Sequence, residues 1–148
     1  MIRPLIAGTA ALALVAAPAM VQQASAQQKT IKIGFISTFS GPAAAIGNDM
    51  RNAFELGLDH LGRKIGGLPV EVVYEDDEIK PEVGVQKTQK LIESDKVDFI
   101  VGYIWSNVVL ASLKPLVDSK TMTVVTNAGA SQLAGELCSP YVLSLIHI

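Results

Sequence analysis

The stretch VDFIVGYIWSNVVLASLKPLVDSKTMTVVT, residues 97–126, decides the fold class. Val97 to Val101 is nearly continuous in apolar character, as expected for a strand that is covered on both faces, and Gly102 ends it. A segment of helical period follows, and residues 121–126 form a second run rich in β-branched side chains. A strand, a helix and another strand in this order predict a parallel βαβ unit.

The helix inside this stretch has recognisable boundaries. Ser106 or Asn107 can cap its start with a side-chain oxygen. Pro115 lies inside the helix and predicts a bend, because it has no N–H and its ring crowds the preceding turn. The apolar positions recur at helical spacing and predict one buried face, made of Val109, Leu113, Leu116 and Val117.

The rest of the chain repeats this alternation outward from the βαβ unit. Apolar period and turn residues predict further strands at 31–37, 70–74 and 141–145, and further helices from Asn48, from Pro81 and, as a short turn, from Gln132. The predicted fold class is therefore α/β, a doubly wound parallel sheet with helices on both faces, and it is incomplete at this length.

The amino-terminal residues have the pattern of a secretory signal peptide. A positive head precedes the uncharged apolar run from Leu5 to Val15, and Ala24-Ser25-Ala26 suits a signal peptidase. We therefore predict a signal peptide over residues 1–26, removed before Gln27, and a periplasmic protein. The alternative is a membrane anchor, but the run is interrupted and falls short of the roughly 20 apolar residues that a spanning helix needs.

Composition and cysteine content exclude several functions. The formal net charge is −2 at pH 7 and basic residues do not cluster, so nucleic acid is not an expected partner. Cys138 is the single cysteine, so no disulfide can form within the chain. It is either a small buried hydrophobic residue or the partner of a cysteine in sequence that is not present here.

Three loops form the expected ligand site. In a doubly wound parallel sheet, ligands bind beyond the carboxyl ends of the strands, where the winding reverses. The loops at that place are residues 37–47, 102–107 and 127–131, all rich in hydroxyl and small residues. Ser106 and the N–H groups after it begin a helix, whose positive dipole end suits a carboxylate. Ser106 either binds such a ligand or only caps its own helix, and the two roles are compatible.

The residues give no indication of catalysis, a metal or a cofactor. The acidic run Glu75 to Glu78 lacks the spacing of a calcium loop and is interpreted as a solvated strand end. His60 and His147 have no recognisable nucleophile or carboxylate partner. The first strand leads to Ser40-Gly41-Pro42 and not to a phosphate-binding glycine motif, which disfavours a nucleotide-dependent enzyme. We expect no catalytic residue, no metal, no cofactor and no enzymatic activity.

Four motifs form a recognisable set: IKIGFISTFSGPAAAIG from Ile31, VYEDDE from Val73, VDFIVGYIWSNVVLASLKPLVD from Val97 and TVVTNAGAS from Thr123. Together they resemble the type I periplasmic solute-binding proteins of ABC transporters, in particular the leucine/isoleucine/valine-binding family. The resemblance covers nearly all of the chain after the leader, up to Tyr141. It implies the N-terminal lobe of such a protein.

The resemblance also implies a set of ligand-binding residues. The family holds the ligand carboxylate with a serine after the third strand and with main-chain and hydroxyl groups after the fourth. These positions fall on Ser106 and on Gly129-Ala130-Ser131, and Ile104 lies in the same loop as the serine. Ile46 stands near the end of the first loop, where relatives often close over the ligand with an aromatic residue. The implied ligand is a small carboxylate, such as a branched-chain amino acid or an aromatic acid.

Trp105 departs from the family pattern. Its ring either stacks on an aromatic or apolar part of the ligand or packs beneath the loop, and in the first case aromatic carboxylates become candidate ligands. The implied partners are the small-molecule carboxylate and an ABC permease in the inner membrane, and the protein is expected to be a monomer. The alternative function is the ligand-sensing lobe of a receptor or regulator, which shares this fold.

The end of the chain departs from the family as well. Relatives continue after Tyr141 into a second lobe, whereas LSLIHI, residues 143–148, does not follow them. The expected organisation is a signal peptide at 1–26, an N-terminal ligand-binding lobe at 27–142 and an aberrant tail at 143–148. Because two lobes close on the ligand in this family, one lobe alone is expected to bind weakly or not at all.

Overall fold

The structure, a computed structural model, describes residues 29–146. The predicted signal peptide and His147 lie outside the described residues. The described strands are β1 (Ile31–Ser37), β2 (Lys64–Ile65), β3 (Leu68–Asp76), β4 (Phe99–Gly102), β5 (Met122–Val125) and β6 (Val142–Ser144). The described helices are α1 (Ala44–His60), α2 (Pro81–Gln89) and α3 (Ser106–Asp118), with a π-helical turn at Lys90–Ser94 and short 3-10 helices at Gly41–Ala43 and Ser131–Ala134.

The sheet is wound in two directions from β1. Its strand order is β2-β3-β1-β4-β5-β6, and every neighbouring pair is parallel except β2 and β3. The chain passes from β1 to β3 on one side and then crosses to β4 on the other, so the winding reverses between β1 and β4. The predicted doubly wound α/β fold is confirmed.

The helix boundaries differ from the prediction mainly at α1. This helix begins at Ala44 and not near Asn48, because the alanines after Pro42 are strong helix formers and a 3-10 turn leads into them. α3 continues through Pro115 to its end at Asp118. No helix within residues 29–146 is long and apolar enough to cross a membrane.

The two faces of the sheet are covered to different degrees. On the face beneath α2 and α3, Ile100 and Val125 are completely buried. On the other face, Phe35 is buried against the ring of Phe54 in α1, but Phe99 is 41% exposed. The expectation that the third predicted strand is covered on both faces is therefore wrong for the described residues, because α1 lies over β1 and leaves Phe99 open.

The end of the described chain continues the sheet. β6 pairs in parallel with β5, and the Leu145 amide donates to the Val125 carbonyl at 2.9 Å. The strand predicted at residues 141–145 is therefore present in shorter form. The interpretation of residues 143–148 as an aberrant tail stays a prediction.

Candidate functional site

Three loops meet at the point where the winding of the sheet reverses. They follow β1, β4 and β5, which are adjacent and parallel, so all three loops leave the same edge of the sheet. Main-chain hydrogen bonds join them: the Tyr103 amide donates to the Ile36 carbonyl at 2.9 Å, and the Ala128 amide donates to the Tyr103 carbonyl at 3.0 Å. The three loops are therefore neighbours in the fold.

The loop after β4 begins with an unusual backbone. Gly102 has φ +138°, and a Cβ atom there would lie 1.9 Å from the carbonyl oxygen of Ile36, so only glycine fits. Tyr103 follows with φ 62°, a conformation that is uncommon for a bulky residue. Its side chain is completely buried, and its hydroxyl group lies 2.6 Å from Thr88 Oγ1. This buried anchor maintains the strained turn that leads into α3.

The start of α3 presents backbone donors. Trp105 occupies the N-cap position, the helix begins at Ser106, and no side chain caps it. The expectation that Ser106 or Asn107 caps the helix is wrong, because both lie inside the first turn and the Trp105 carbonyl accepts from the Val108 and Val109 amides. The amides of Ser106 and Asn107 have no acceptor within α3, since no helical turn precedes them. An anion at this helix start would meet these two donors.

Trp105 is held by a hydrogen bond across the site. Its indole N–H donates to Thr38 Oγ1 at 3.0 Å, and the Thr38 hydroxyl donates to Asp77 Oδ1 at 2.5 Å. Thr38 and Asp77 are completely buried, whereas Trp105 is partly buried and packs against the core beneath α2 and α3. The indole therefore has both a packed part and a fixed position beside the start of α3.

The acidic run Glu75 to Glu78 is not the solvated strand end that the sequence suggests. Glu75 and Asp77 are buried, because alternation along β3 and into the residue after it turns both toward the α2 side of the sheet. Glu75 pairs with the ammonium groups of Lys87 at 2.7 Å and Lys90 at 2.6 Å. Burial acts to raise the pKa of Glu75, but the two lysines outweigh it, so the pKa lies below its usual value.

Asp76 fastens the loop after β1. Its Oδ1 accepts the amide of Phe39 at 2.9 Å and the amide of Glu78 at 3.0 Å. Burial acts to raise the pKa of Asp76, but these bonds and those from Ser40 hold the pKa below its usual value. Because Asp77 is engaged by Thr38, both aspartates at this corner bind the protein's own loop.

The remaining predicted ligand residues lie at different depths. Gly129 and Ser131 are exposed, whereas Ala130 between them and Ile104 are buried. Ile46 is 42% exposed and lies in the first turn of α1, so its expected placement in the loop after β1 is wrong. The hydrogen bonds described above bring the loops after β4 and β5 together, and Ile46 is not among the residues they join.

Cysteine and acidic side chains do not assemble a second site in the described part of the chain. Cys138 is exposed, so its interpretation as a buried hydrophobic residue is wrong. Its pairing with a cysteine outside this sequence stays a prediction. Among residues 29–146, no group of three or more His, Cys, Asp or Glu side chains is arranged to hold a metal ion.

Thr38, Asp77 and Tyr103 are buried residues of this corner for which the sequence predicts no role. Thr38 and Asp77 are 39 positions apart and meet because β1 and β3 pair in parallel, with Ser37 opposite Asp76. Their placement directly after two strands is a signal that could have linked them. The sequence has no comparable signal for Tyr103, since a positive φ is expected at glycine, asparagine or aspartate.

Comparison with known proteins places this geometry in a family. The family model described as "Periplasmic binding protein" matches residues 30–147. The chain belongs to the periplasmic binding protein family. A Leu/Ile/Val-binding protein of Rhizobium johnstonii is 32% identical over 105 residues, which are 70% of this chain and 28% of that protein.

Solved structures of periplasmic binding proteins agree with this assignment. An ABC transporter substrate-binding protein from Sphaerobacter thermophilus is 38% identical with a TM-score of 0.75, over 78% of this chain and 32% of that one. A solute-binding protein of an R. palustris ABC transporter, in complex with benzoate, is 33% identical with a TM-score of 0.76, over the same shares of 78% and 32%. The expected resemblance to type I solute-binding proteins is confirmed.

This periplasmic binding protein chain covers only part of the proteins it matches. It spans about three-tenths of the length of the relatives and solved structures it matches. The matched relatives are solute-binding proteins and not enzymes, and the family is periplasmic.

Proposed function

We propose that this chain is one ligand-binding lobe of a periplasmic protein that carries a small aromatic carboxylate to an ABC permease. The observation that carries the proposal is the juxtaposition at the start of α3. The amides of Ser106 and Asn107 lack acceptors within the helix, and they follow directly on Trp105, whose indole is fixed by Thr38. A negative group and an aromatic group of one ligand would both find a partner there.

The start of α3 would bind the carboxylate of the ligand. Two main-chain N–H groups and the positive end of the α3 dipole act on the same anion, and a hydrogen bond to a charged group contributes about 1.5–3 kcal/mol. Gly129 and Ser131 are exposed on the neighbouring loop, which is fastened to the β4 loop through Ala128. The small residues there leave room for a ligand to approach the backbone.

An aromatic acid is favoured over an amino acid by the indole of Trp105, which Thr38 holds beside the start of α3 and which offers a flat face to a ring. The R. palustris neighbour was solved with benzoate, an acid of this kind. A branched-chain amino acid is the second candidate, because the Rhizobium johnstonii relative is a Leu/Ile/Val-binding protein.

Transport by such proteins depends on closure of two lobes around the solute. This chain provides the contacts of one lobe, so we expect a dissociation constant on the order of millimolar for the isolated chain. We also propose that the protein is exported and that residues 1–26 are removed. A mass spectrum of the protein recovered from periplasm that starts at a residue other than Gln27 would contradict this cleavage site.

Titration of the chain with benzoate, followed by two-dimensional ¹⁵N NMR, tests the proposed site. We expect benzoate to shift the resonances of the Ser106 and Asn107 amides and of the Trp105 indole. Leucine is expected to shift the amides while affecting the indole less. Benzyl alcohol, which is aromatic but uncharged, should leave the amides unshifted. Benzoate shifts confined to another part of the chain, or none at concentrations up to about 50 mM, would overturn the proposal, since that range covers millimolar binding.

A proline substitution removes one of the proposed donors with little change to the helix. Ser106→Pro places proline at the first helical position, where it is well tolerated, and the extended backbone of Trp105, with ψ 131°, suits a following proline. We expect benzoate affinity to fall about tenfold, as expected for a lost hydrogen bond to a charged group. Ser106→Ala, which keeps the amide and removes only the hydroxyl, is the matched control. Equal affinities of the proline and alanine variants would show that this amide does not bind the carboxylate.

A further inference from the structure

A continuous hydrogen-bond chain runs from the interior of the protein to the tryptophan at the site. The indole N–H of Trp105 can only donate, and it donates to Thr38 Oγ1 at 3.0 Å. The single hydroxyl proton of Thr38 is therefore directed elsewhere, and it is donated to Asp77 Oδ1 at 2.5 Å. The directions of both bonds are fixed by the chemistry of the three groups.

The inner end of this chain is anchored by the backbone. Asp77 Oδ1 also accepts the amide of Ile79 at 3.0 Å, and the Asp77 amide donates to the Ser37 carbonyl at 3.0 Å. A carboxylate with these contacts cannot rotate freely. The hydroxyl of Thr38 is consequently aimed in one direction, and its lone pairs are presented to Trp105.

Burial of the Asp77 carboxylate costs free energy. It is 0% exposed, and its second carboxylate oxygen, Oδ2, is buried without a hydrogen-bond partner among the described residues. Buried polar side-chain atoms are almost always satisfied, so this oxygen needs an explanation, as do the two other such atoms among the described residues, Ser37 Oγ and Ser112 Oγ. An asparagine, serine or threonine could close the local turn without a buried carboxylate. The fold alone therefore does not account for this side chain.

We propose that Asp77 and Thr38 are positioning residues that hold the indole plane of Trp105 as a flat wall for the aromatic part of the ligand. Neither residue touches the ligand, since both are completely buried. The inference rests on the proposed function for its purpose, but the ordering of the indole is a property of the ligand-free protein. An indole that is already fixed before binding loses less conformational entropy when a ring stacks on it.

The single tryptophan of the sequence makes the test direct, because its indole N–H gives one NMR resonance. In the wild-type chain we expect a rigid indole, with an order parameter near 0.85. Thr38→Val keeps the side-chain shape and breaks both bonds, and we expect the order parameter to fall below about 0.6. Thr38→Ser restores the hydroxyl and should restore the rigid value. Asp77→Asn keeps an acceptor near the threonine but lowers its charge, so an intermediate value is expected.

Thr123→Val is the matched control for loss of a buried threonine hydroxyl. Thr123 in β5 is also completely buried, but its hydroxyl donates to the carbonyl of Thr121, which directly precedes the strand. We expect this variant to lose stability without loosening the indole. If Thr38→Val leaves the indole as rigid as in the Thr123→Val control, the positioning role is wrong.

Benzoate titration of the same variants separates this inference from the proposed function. We expect Thr38→Val to weaken benzoate binding about threefold to tenfold and Thr38→Ser and Thr123→Val to leave it unchanged, in keeping with one immobilised side chain. A wild-type indole that is rigid but does not respond to benzoate would refute the proposed ligand site. An indole that loosens in Thr38→Val without any change in benzoate affinity would refute the positioning role while the ligand site stands.

Discussion

Gly47 and Gly57 lie in the same helix, α1, but have opposite surroundings. A Cβ atom on Gly57 would have open space around it, whereas one on Gly47 would lie 1.9 Å from the Thr38 carbonyl oxygen and 3.2 Å from Ser37 Oγ. Replacing glycine by alanine in a helix gains roughly 0.5–1 kcal/mol through backbone entropy and propensity. The same substitution therefore tests whether helix propensity or close packing on the site loop dominates at each position.

We expect Gly57→Ala to stabilise the chain by about 0.5–1 kcal/mol and Gly47→Ala to destabilise it. Real Cβ contacts essentially never fall below 3.0 Å, so relief of the 1.9 Å contact requires α1 and the Thr38 loop to separate by more than about 1 Å. The obstacle is a backbone carbonyl, which cannot move aside as a flexible side chain can. Overpacking of this kind costs about 1–3 kcal/mol, which exceeds the gain in propensity.

Thermal unfolding of the two variants and the wild type measures this balance. The gain in propensity is common to both variants, so they should differ by the overpacking cost of about 1–3 kcal/mol, which corresponds to a gap of roughly 4–12 °C in Tm for a chain of this size. The Trp105 indole resonance should shift in Gly47→Ala, because Thr38 holds the indole, and stay in place in Gly57→Ala. Equal Tm values for the two variants would show that α1 does not pack against this loop as the structure has it.

Two further predictions concern buried ionisable groups. Glu75→Gln should lower the free energy of unfolding at neutral pH by about 1 kcal/mol, because two lysines lose their charged partner. The pKa of Glu75 is lower in the folded state, so its contribution to the free energy of unfolding is present above pH 4.5 and is lost as the pH falls through the folded pKa. Urea titrations at a series of acidic pH values test this. The prediction is wrong if the stability of wild type and variant falls in parallel with decreasing pH. Tyr103→Phe should cost about 1 kcal/mol below pH 10, because the hydroxyl near Thr88 is lost from the core. Burial raises the pKa of Tyr103, so its contribution to the free energy of unfolding is lost as the pH rises above the ordinary 10.0. Denaturation curves should therefore show a smaller loss of stability at alkaline pH for the variant than for the wild type. An equal loss in both proteins would contradict this prediction.

The fold followed from the sequence because its signals are local. Apolar runs and helical periods each span several residues, so the strands and helices of the parallel sheet could be placed within a few positions. β2 was missed because two residues, Lys64–Ile65, carry no period. The cover over Phe99 was misjudged for a different reason: an apolar strand shows that a face can be buried, but it does not show how far a helix in another part of the chain extends over it.

For the candidate site, the sequence predicts which loops form it but not the groups that those loops present. The rule that ligands bind where the winding reverses located the loops after β1, β4 and β5, and these are adjacent in the structure. The helix start was misread in detail, since Ser106 lies one position inside α3 and Trp105 takes the cap position. A shift of one residue is beyond what composition around a helix start can decide, yet it changes the feature offered to a ligand from a capping hydroxyl to free amides.

The acidic run shows why sequence alone misassigned the residues that organise this corner. Along β3 and into the next residue, alternation turns Val73, Glu75 and Asp77 toward the α2 side and Tyr74 and Asp76 toward the α1 side. Four consecutive acids are therefore not one solvated cluster. One pairs with lysines, one fastens a loop and one holds the threonine that orients the tryptophan. Their separate roles depend on the parallel register of β1 and β3, a long-range property that becomes visible only when both strands are in place.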